Sequence, residues 1–194
     1  MNSEIPIFAL GTVLFPGGVL SLRVFETRYV DMVRECMRNS SPFGVACIRD
    51  GREIGTAALT HDIATTARIV DFDRLEDGLL GITAVGDERF QILDTRVQAD
   101  QLVVATKITA LAADPELEVP EELGHLLRIV TEIHNASDRE LPDTQVMHAA
   151  WVANRIAEVL PIAAGKKHDL MALDDPMQRL HQVNAVVMEL AQRE

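Results

Sequence analysis

The stretch TVLFPGGVLSLRVFETRYVDMV, residues 12–33, joins a glycine pair to an alternating apolar run and then to a segment with helical periodicity. A phosphate-binding loop needs its glycines between a strand and a helix N-terminus, where backbone N–H groups meet the anion. Here a second strand, residues 19–25, follows the glycines before the helix begins, and neither GxGxxG nor GxxxxGK[ST] occurs in the chain. We therefore interpret Pro16-Gly17-Gly18 as a turn between strands, because proline fixes φ and glycine tolerates a positive φ.

Short segments rich in Val, Ile, Thr and Leu recur from residue 5 to about residue 111, and this pattern predicts strands. The polar separators RDGRE, RLEDGL and VQADQ are typical of turns between neighbouring antiparallel strands. One helix, residues 27–38, interrupts the series and should lie against the sheet at one end of a barrel. The seven predicted strands, which indicate a barrel or a sandwich, are IPIFAL, VLSLRVF, FGVACI, IATTARIVDF, LLGITAVG, ERFQILDTRV and QLVVATKITAL.

Helical periodicity replaces the strand pattern in the second half of the chain. Asp143 and Asp175 are suited to cap helices, Pro176 to a first helical position, and Pro161 to a helix end. The sequence thus predicts a barrel subdomain over residues 1–113 and a helical subdomain over residues 114–194. The four predicted helices of the second subdomain cover residues 120–135, 143–160, 166–173 and 176–190.

The charge and the cysteine content exclude several function classes. The 194 residues carry a net charge of −12, which disfavours nucleic acid and anionic membrane surfaces as partners. The start of the chain lacks the basic and apolar regions of a signal peptide, so we expect a cytoplasmic protein. Cys36 and Cys47 fit neither a disulfide framework nor a metal knuckle, and we predict that both are core thiols in a reducing compartment.

Motifs for catalysis or metal binding are missing from the sequence. It contains no HExxH, no GxSxG and no Cys-His cluster, so we predict no catalytic residues, no metal site and no cofactor. The acidic pairs Asp71/Asp73 and Glu121/Glu122 are interpreted as a polar turn and a helix N-terminus rather than as acid–base pairs. Trp151 is expected to anchor the helical core.

Several segments of the chain resemble the amino-terminal domain of the Lon protease family, in the order found there. The first is IPIFALGTVLFPGGVLSLRVFETRYVDMV, which resembles that domain's opening strand, its VLFPG turn, its LPLxIFExRY strand and the helix after it. Further similar segments are REIGTAAL, ARIVDFDRLEDGLLGITAVGDERFQIL and VLPIAAGKKHDLMALDDPMQRLHQV. The resemblance extends roughly over residues 4–190.

The resemblance implies an α+β fold: a mainly antiparallel, PUA-like pseudo-barrel with one interspersed helix, followed by a C-terminal helical bundle. In full-length Lon this domain helps to recognise unfolded or tagged substrates and supports oligomer assembly. The ATPase and Ser-Lys peptidase lie in later domains, whose motifs this sequence lacks. A stand-alone, non-catalytic version of the domain is therefore expected. Its expected partners are peptides, partly unfolded proteins, or a separate protease or ATPase.

The family motif also suggests candidate site residues. The resemblance implies that Glu26 and Arg28 hydrogen-bond to backbone across the barrel end, with two aromatic side chains packed beneath them. Ser21 and Thr27 depart from the family pattern, and Thr27 is expected to cap the helix. The motif residues, interpreted as structural with a peptide-binding surface as the alternative, are Phe15, Pro16, Gly17, Phe25, Glu26, Arg28 and Tyr29.

The sequence is compatible with peptide binding and with two alternatives, and each hypothesis places its ligand differently. The peptide hypothesis places its ligand in an apolar groove between barrel and bundle or along an exposed strand edge. An enzyme or small-ligand protein would instead gather titratable groups in a deep pocket at the barrel mouth. RNA binding, by analogy with PUA domains, is disfavoured by the charge. The sequence leaves open whether the chain forms a homo-oligomer.

Overall fold

The structure is a computed structural model that describes residues 4–136 and 148–192. It divides into two compact units, Met1–Ala112 and Ala113–Glu194. The first unit contains β1 (Ile5–Leu10), β2 (Val19–Val24), α1 (Thr27–Asn39), β3 (Phe43–Asp50), β4 (Leu59–Thr60), β5 (Ile63–Arg74), β6 (Leu80–Val97) and β7 (Val103–Ala110). The second contains a 3-10 helix (Glu121–Leu123), α2 (His125–Ala136), α3 (Ala149–Val159), α4 (Ala164–Ala172) and α5 (Pro176–Ala191).

The strands of the first unit form a mainly antiparallel, barrel-like ring. Their order is β1-β7-β6-β5-β3-β4, and β2 pairs with the first part of β6. A parallel pairing of β1 with β3 closes the ring, with Ile7 opposite Gly44 and Leu10 opposite Cys47. The predicted α+β fold with a mainly antiparallel pseudo-barrel is therefore confirmed, and closure through β1 leaves fewer free strand edges.

The prediction of two separate strands in LLGITAVG and ERFQILDTRV was wrong, because both belong to the single strand β6. Gly86, which lies between the two predicted segments, is part of that strand. A Cβ at this position would lie 2.5 Å from the carbonyl oxygen of Phe15. The glycine therefore allows another backbone segment to cross close to the strand, a use of glycine that sequence patterning does not distinguish from a turn.

Helix α1 packs its apolar face into the barrel core. Tyr29, Met32, Val33 and Cys36 are buried in that core, as helical spacing predicts. The helix runs close to its predicted bounds, but Thr27 is its first residue and not its cap. Glu26 occupies the N-cap position and makes no capping hydrogen bond with its side chain.

The helices of the second unit follow their local start and stop signals. The Asp175 carboxylate accepts a hydrogen bond of 2.9 Å from the N–H of Met177, and Pro176 opens α5, as predicted. The helix predicted over residues 120–135 is instead a 3-10 turn and α2, which meet at Gly124. The predicted cap Asp143 lies outside the described residues.

A buried arginine joins three segments of the second unit. The guanidinium of Arg179 donates to both carboxylate oxygens of Asp114, at 2.6 and 3.2 Å, and to Asn154 Oδ1 at 3.1 Å. It also donates to the carbonyl oxygens of Leu170 and Leu173. Arg179 is fully buried, so these contacts replace the water that its charge has lost.

Trp151 differs from its expected role as a core anchor. Its side chain is only partly buried, and its ring centroid lies 5.8 Å from that of His134. The fully buried apolar side chains of this unit include Leu126, Val152 and Leu180. In the described part of the chain, the helices are too short or too polar to cross a membrane.

Candidate functional site

The turn at residues 15–18 has a structural explanation. Gly18 donates its N–H to the carbonyl of Phe15 at 2.9 Å, and Gly17 has φ 73°. This is the positive φ that a type II turn needs after a proline. Gly17 also donates to the carbonyl of Gly86 at 2.8 Å, while Phe15 is fully buried. The turn thus attaches to β6 and contains no exposed reactive group.

Arg28 is the centre of a hydrogen-bond network in the barrel unit. Its side chain is buried, and its guanidinium donates to the carbonyl oxygens of Gln101 at 2.8 Å and Glu53 at 3.1 Å. It also donates to the Glu26 carboxylate at 3.1 Å. The guanidinium carbon lies 4.6 Å from the centre of the Tyr29 ring, within range of a cation–π contact. Burial raises the pKa of the Tyr29 hydroxyl, although the Arg28 charge opposes that shift.

The same network holds the loop of residues 51–58 in place. The N–H of Gly55 donates to Glu26 at 3.1 Å, and the N–H of Ala57 donates to the side chain of Gln101 at 3.3 Å. The Glu53 carboxylate accepts a hydrogen bond of 2.6 Å from Gly11. We call this set of contacts the Arg28 clamp; its bonds fix a largely exposed loop to the barrel.

Glu26 and Arg28 hydrogen-bond within this clamp, and Tyr29 stacks on Phe8 with ring centroids 3.9 Å apart. Phe25 differs from the expectation that it packs beneath them, because it is 52% exposed. These contacts partner both terminal nitrogens of the Arg28 guanidinium, whereas its buried Nε has no hydrogen-bond partner among the described residues. Any direct ligand contact by them stays a prediction.

A surface groove lies elsewhere on the barrel unit, between α1 and the β5–β6 hairpin. Three adjoining depressions of about 610, 390 and 300 Å³ share one side chain, Phe72, which is 58% exposed. We call them together the Phe72 groove. The largest is lined by Val30, Val33, Arg34, Met37, Arg38, Phe72 and Leu80. The other two add Cys36, Ser40, Ser41, Arg68, Ile69, Val70, Asp73, Arg74, Gly78 and Leu79.

One edge of β5 borders this groove. The ladder between β3 and β5 ends at Ala67, whereas the ladder between β5 and β6 continues to Arg74. Within the described ranges, residues 68–74 therefore have a strand partner on one side only. An unpaired edge is a template to which another extended chain can add.

Two aspartates protect this edge. The N–H of Phe72 donates to the Asp71 carboxylate at 2.9 Å, and the N–H of Arg74 donates to the Asp73 carboxylate at 2.6 Å. Charged residues on an edge strand oppose uncontrolled pairing with other chains. The interpretation of Asp71 and Asp73 as a polar turn was wrong, because both lie within β5 and bond to backbone N–H groups of that strand.

Arginines dominate the charged lining of the groove. Arg34 and Arg38 project from α1 and pair with Asp31 at 2.6 Å and Glu35 at 3.0 Å. Arg68 on β5 pairs with an aspartate at 2.5 Å. The side chains of all three arginines are more than half exposed. The two pairs on α1 therefore contribute little to stability, whereas Arg68 donates to both carboxylate oxygens of Asp87.

The two cysteines are buried free thiols, as predicted. Burial raises the pKa of both Cys36 and Cys47, which lowers the thiolate fraction at neutral pH and makes them poor nucleophiles. Within residues 4–136 and 148–192, no three His, Cys, Asp or Glu side chains are grouped so that they could hold a metal ion.

Sequence reasoning did not find the Phe72 groove. The signal was present in VDFDR, where the apolar residues Val70 and Phe72 alternate with aspartates yet both remain about half exposed. Alternation does not show whether another element covers a face of a strand, and here the β5–β6 ladder shifts register between Ile69 and Asp71, which breaks the alternation at Val70. Only the arrangement of α1 beside β5 reveals a groove.

The fold and the groove together define an α+β protein whose pseudo-barrel presents an apolar surface beside a free strand edge. The chain belongs to the family of ATP-dependent protease La (LON) substrate-binding domains, whose model matches residues 4–188. This confirms the family resemblance found in the sequence.

Related proteins share different portions of the chain. It is 25% identical to a Lon protease of Anaeromyxobacter dehalogenans over 198 residues, which cover 97% of this chain and 23% of that protein. It is 32% identical to the protein cereblon of Xenopus tropicalis over 106 residues, or 53% of this chain and 23% of that protein. The chain thus spans about a quarter of the length of these relatives.

Solved structures show the same fold. The crystal structure of a Lon N-terminal domain protein from Xanthomonas campestris is 36% identical, with a TM-score of 0.78, and the match covers 94% of this chain and 98% of that one. The N-terminal domain of a Mycobacterium avium complex Lon protease is 16% identical, with a TM-score of 0.65, and the match covers 95% and 97% of the two chains. The second likeness concerns the fold alone.

Proposed function

We propose that this chain is a non-catalytic binding protein that holds extended apolar segments of peptides or partly unfolded proteins in the Phe72 groove. Membership of a substrate-binding family supports a role in substrate recognition. The observation that carries the proposal is a half-exposed aromatic side chain in an apolar groove beside an unpaired strand edge. Exposed apolar surface of this kind is typical of interaction sites.

Strand addition explains how such a site binds segments of varied sequence. The main chain of an extended segment pairs with the edge of β5, and its side chains enter the adjoining depressions. Backbone pairing is independent of sequence, so affinity depends on an extended conformation and on apolar side chains that contact Phe72. A protein that binds unfolded regions must accept segments of many different sequences.

Replacing Phe72 by serine is expected to weaken peptide binding at least tenfold, since a buried aromatic contact contributes roughly 1.5–3 kcal/mol. Fluorescence anisotropy with labelled apolar peptides measures the loss, and suppression of aggregation of a denatured protein provides a second readout. Val97→Ser is the matched control, because Val97 is 52% exposed on β6 and lies outside the groove lining. Equal affinities for the two variants would contradict this location.

Removing the edge aspartates tests the role of the β5 edge. The double variant Asp71→Ala/Asp73→Ala frees the N–H groups of Phe72 and Arg74 from their carboxylate partners. We expect increased self-association of the protein, measured by sedimentation velocity, because an unprotected edge pairs with other chains. The variant Asp71→Asn/Asp73→Asn keeps an acceptor oxygen and removes only the charge. If both variants stay as dispersed as the unmodified protein, the edge is not available for pairing.

The alternative of an enzyme or small-ligand site has less support. The polar side chain of Arg28 is already engaged in hydrogen bonds to the carbonyl oxygens of Gln101 and Glu53. The largest depression of the Phe72 groove is lined by apolar side chains and arginines. General acid–base chemistry instead requires titratable groups whose environments separate their pKa values.

Further parts of the account are proposals of the same kind. The chain acts in the cytoplasm, alone or as an adaptor for a separate protease or ATPase. Six of the seven motif residues have structural roles, and the exposed Phe25 belongs to the alternative of a peptide-binding surface. The two subdomains extend over residues 1–113 and 114–194.

A further inference from the structure

We propose that the Phe72 groove selects extended segments in which an apolar residue is flanked by carboxylates, an inference that rests on the peptide-binding function proposed above. The charged residues that line the three depressions are four arginines, Arg34, Arg38, Arg68 and Arg74, and a single acid, Asp73. The whole chain has the opposite balance, with 30 acidic and 18 basic side chains. The groove thus concentrates arginine side chains on an acidic protein, and Asp31, Glu35 and Asp87 at its margin pair with three of them.

The arginines occupy both walls of the groove. Arg34 and Arg38 are one helical turn apart on α1, and Arg68 and Arg74 lie on β5. An apolar floor that includes Val33, Phe72 and Leu80 separates the two walls. A ligand with an apolar centre and negative flanks matches this arrangement by charge and by hydrophobicity.

The spacing of the α1 pair suits an extended chain. Four residues of helix rise about 6 Å, and two residues of extended strand rise about 6.6 Å. Carboxylates at positions i and i+2 of a bound segment can therefore contact Arg34 and Arg38 together. The residue between them then points away from α1, towards β5, and an apolar side chain there can contact Phe72.

Arg34 and Arg38, the two arginines of the α1 wall, can exchange their present partners at small cost. The Arg34–Asp31 pair has side-chain exposures of 62% and 57%, and the Arg38–Glu35 pair has 65% and 60%. Ion pairs this exposed are worth little in water. The one acid of the lining, Asp73, accepts the N–H of Arg74, which offsets part of its repulsion of an anionic ligand.

Three labelled peptides with one shared apolar core and glutamate, glutamine or lysine flanks at alternate positions test this selection. We expect the glutamate peptide to bind about tenfold more tightly than the glutamine peptide at 150 mM salt, with the lysine peptide weakest. The variant Arg34→Glu/Arg38→Glu should reverse the order, and Arg34→Gln/Arg38→Gln should remove the preference. Arg49→Glu/Arg96→Glu makes the same charge change at exposed positions outside the lining and should leave the order intact.

The outcomes distinguish the selection of acidic flanks from peptide binding itself. Equal binding of all three peptides would overturn the selection and leave peptide binding standing, whereas binding of none would overturn the proposed function itself. An unchanged order in the Arg34→Glu/Arg38→Glu variant, with its circular dichroism spectrum intact, would also overturn the selection. If self-association of the protein displaces every peptide, the occupant is a second copy of this chain, and the inference is wrong.

Discussion

Replacing Arg179 by leucine is expected to lower the free energy of unfolding of the helical unit by about 3–5 kcal/mol. The guanidinium is fully buried and binds Asp114, Asn154 and two carbonyl oxygens. Without it, the Asp114 carboxylate, whose side chain is only 12% exposed, loses its cationic partner. The cost arises mainly because a desolvated charge and several polar atoms lose their compensation.

Urea unfolding followed by tryptophan fluorescence measures this loss, because Trp151 is the sole tryptophan and lies on α3 of the helical unit. Arg128→Leu on α2 is the control; Arg128 is exposed, so its replacement should change stability by less than about 0.5 kcal/mol. The double variant Arg179→Leu/Asp114→Leu should be less destabilised than the sum of its single variants. A midpoint for Arg179→Leu within error of the Arg128→Leu control would show that the buried pair does not stabilise the unit.

Replacing Arg28 by methionine should cost the barrel unit about 2–4 kcal/mol, since hydrogen bonds to charged groups contribute about 1.5–3 kcal/mol each and their losses are not additive. The substitution removes the bonds to the carbonyl oxygens of Gln101 and Glu53 and the ion pair with Glu26. We expect the loop of residues 51–58 to loosen before the barrel unfolds, because the clamp fixes that loop to its surroundings.

Amide hydrogen exchange detects this loosening directly. The N–H groups of Gly55 and Ala57, which donate to clamp side chains, should exchange much faster in the Arg28→Met variant. Arg23→Met is the control, because the Arg23–Asp77 ion pair has side-chain exposures of 67% and 39% and its loss should cost under about 1 kcal/mol. Unchanged exchange at both amides would rule out the clamp as the anchor of the loop.

Local chemistry explains the parts of the fold that the sequence could predict. Asp175 and Pro176 begin α5 through contacts within a few residues, and Pro16-Gly17 forms its turn through backbone geometry alone. The periodicity of α1 also depends on near neighbours. A single sequence reveals these features because the interacting groups are close to one another along the chain.

Contacts between distant residues explain what the sequence could not predict. Arg179 and Asp114 are 65 positions apart, and Arg28 and Gln101 are 73 positions apart. The predicted break in β6 at Gly86 was wrong because the constraint on that glycine is the close approach of the Phe15 carbonyl, 71 positions away. The Phe72 groove exists only because α1 leaves part of β5 uncovered. Asp114 was predicted only as the start of the second subdomain, although its carboxylate binds a buried arginine.

The central claim is that extended segments bind along the β5 edge in the Phe72 groove. Amide exchange of the full chain, with and without a saturating apolar peptide with acidic flanks, tests it most directly. The account predicts at least tenfold slower exchange at Phe72 and Arg74, because strand pairing buries these edge N–H groups. Amides of the loop at residues 51–58 should not change. Protection confined to that loop or to the helical unit, with Phe72 and Arg74 unaffected, would contradict the claim.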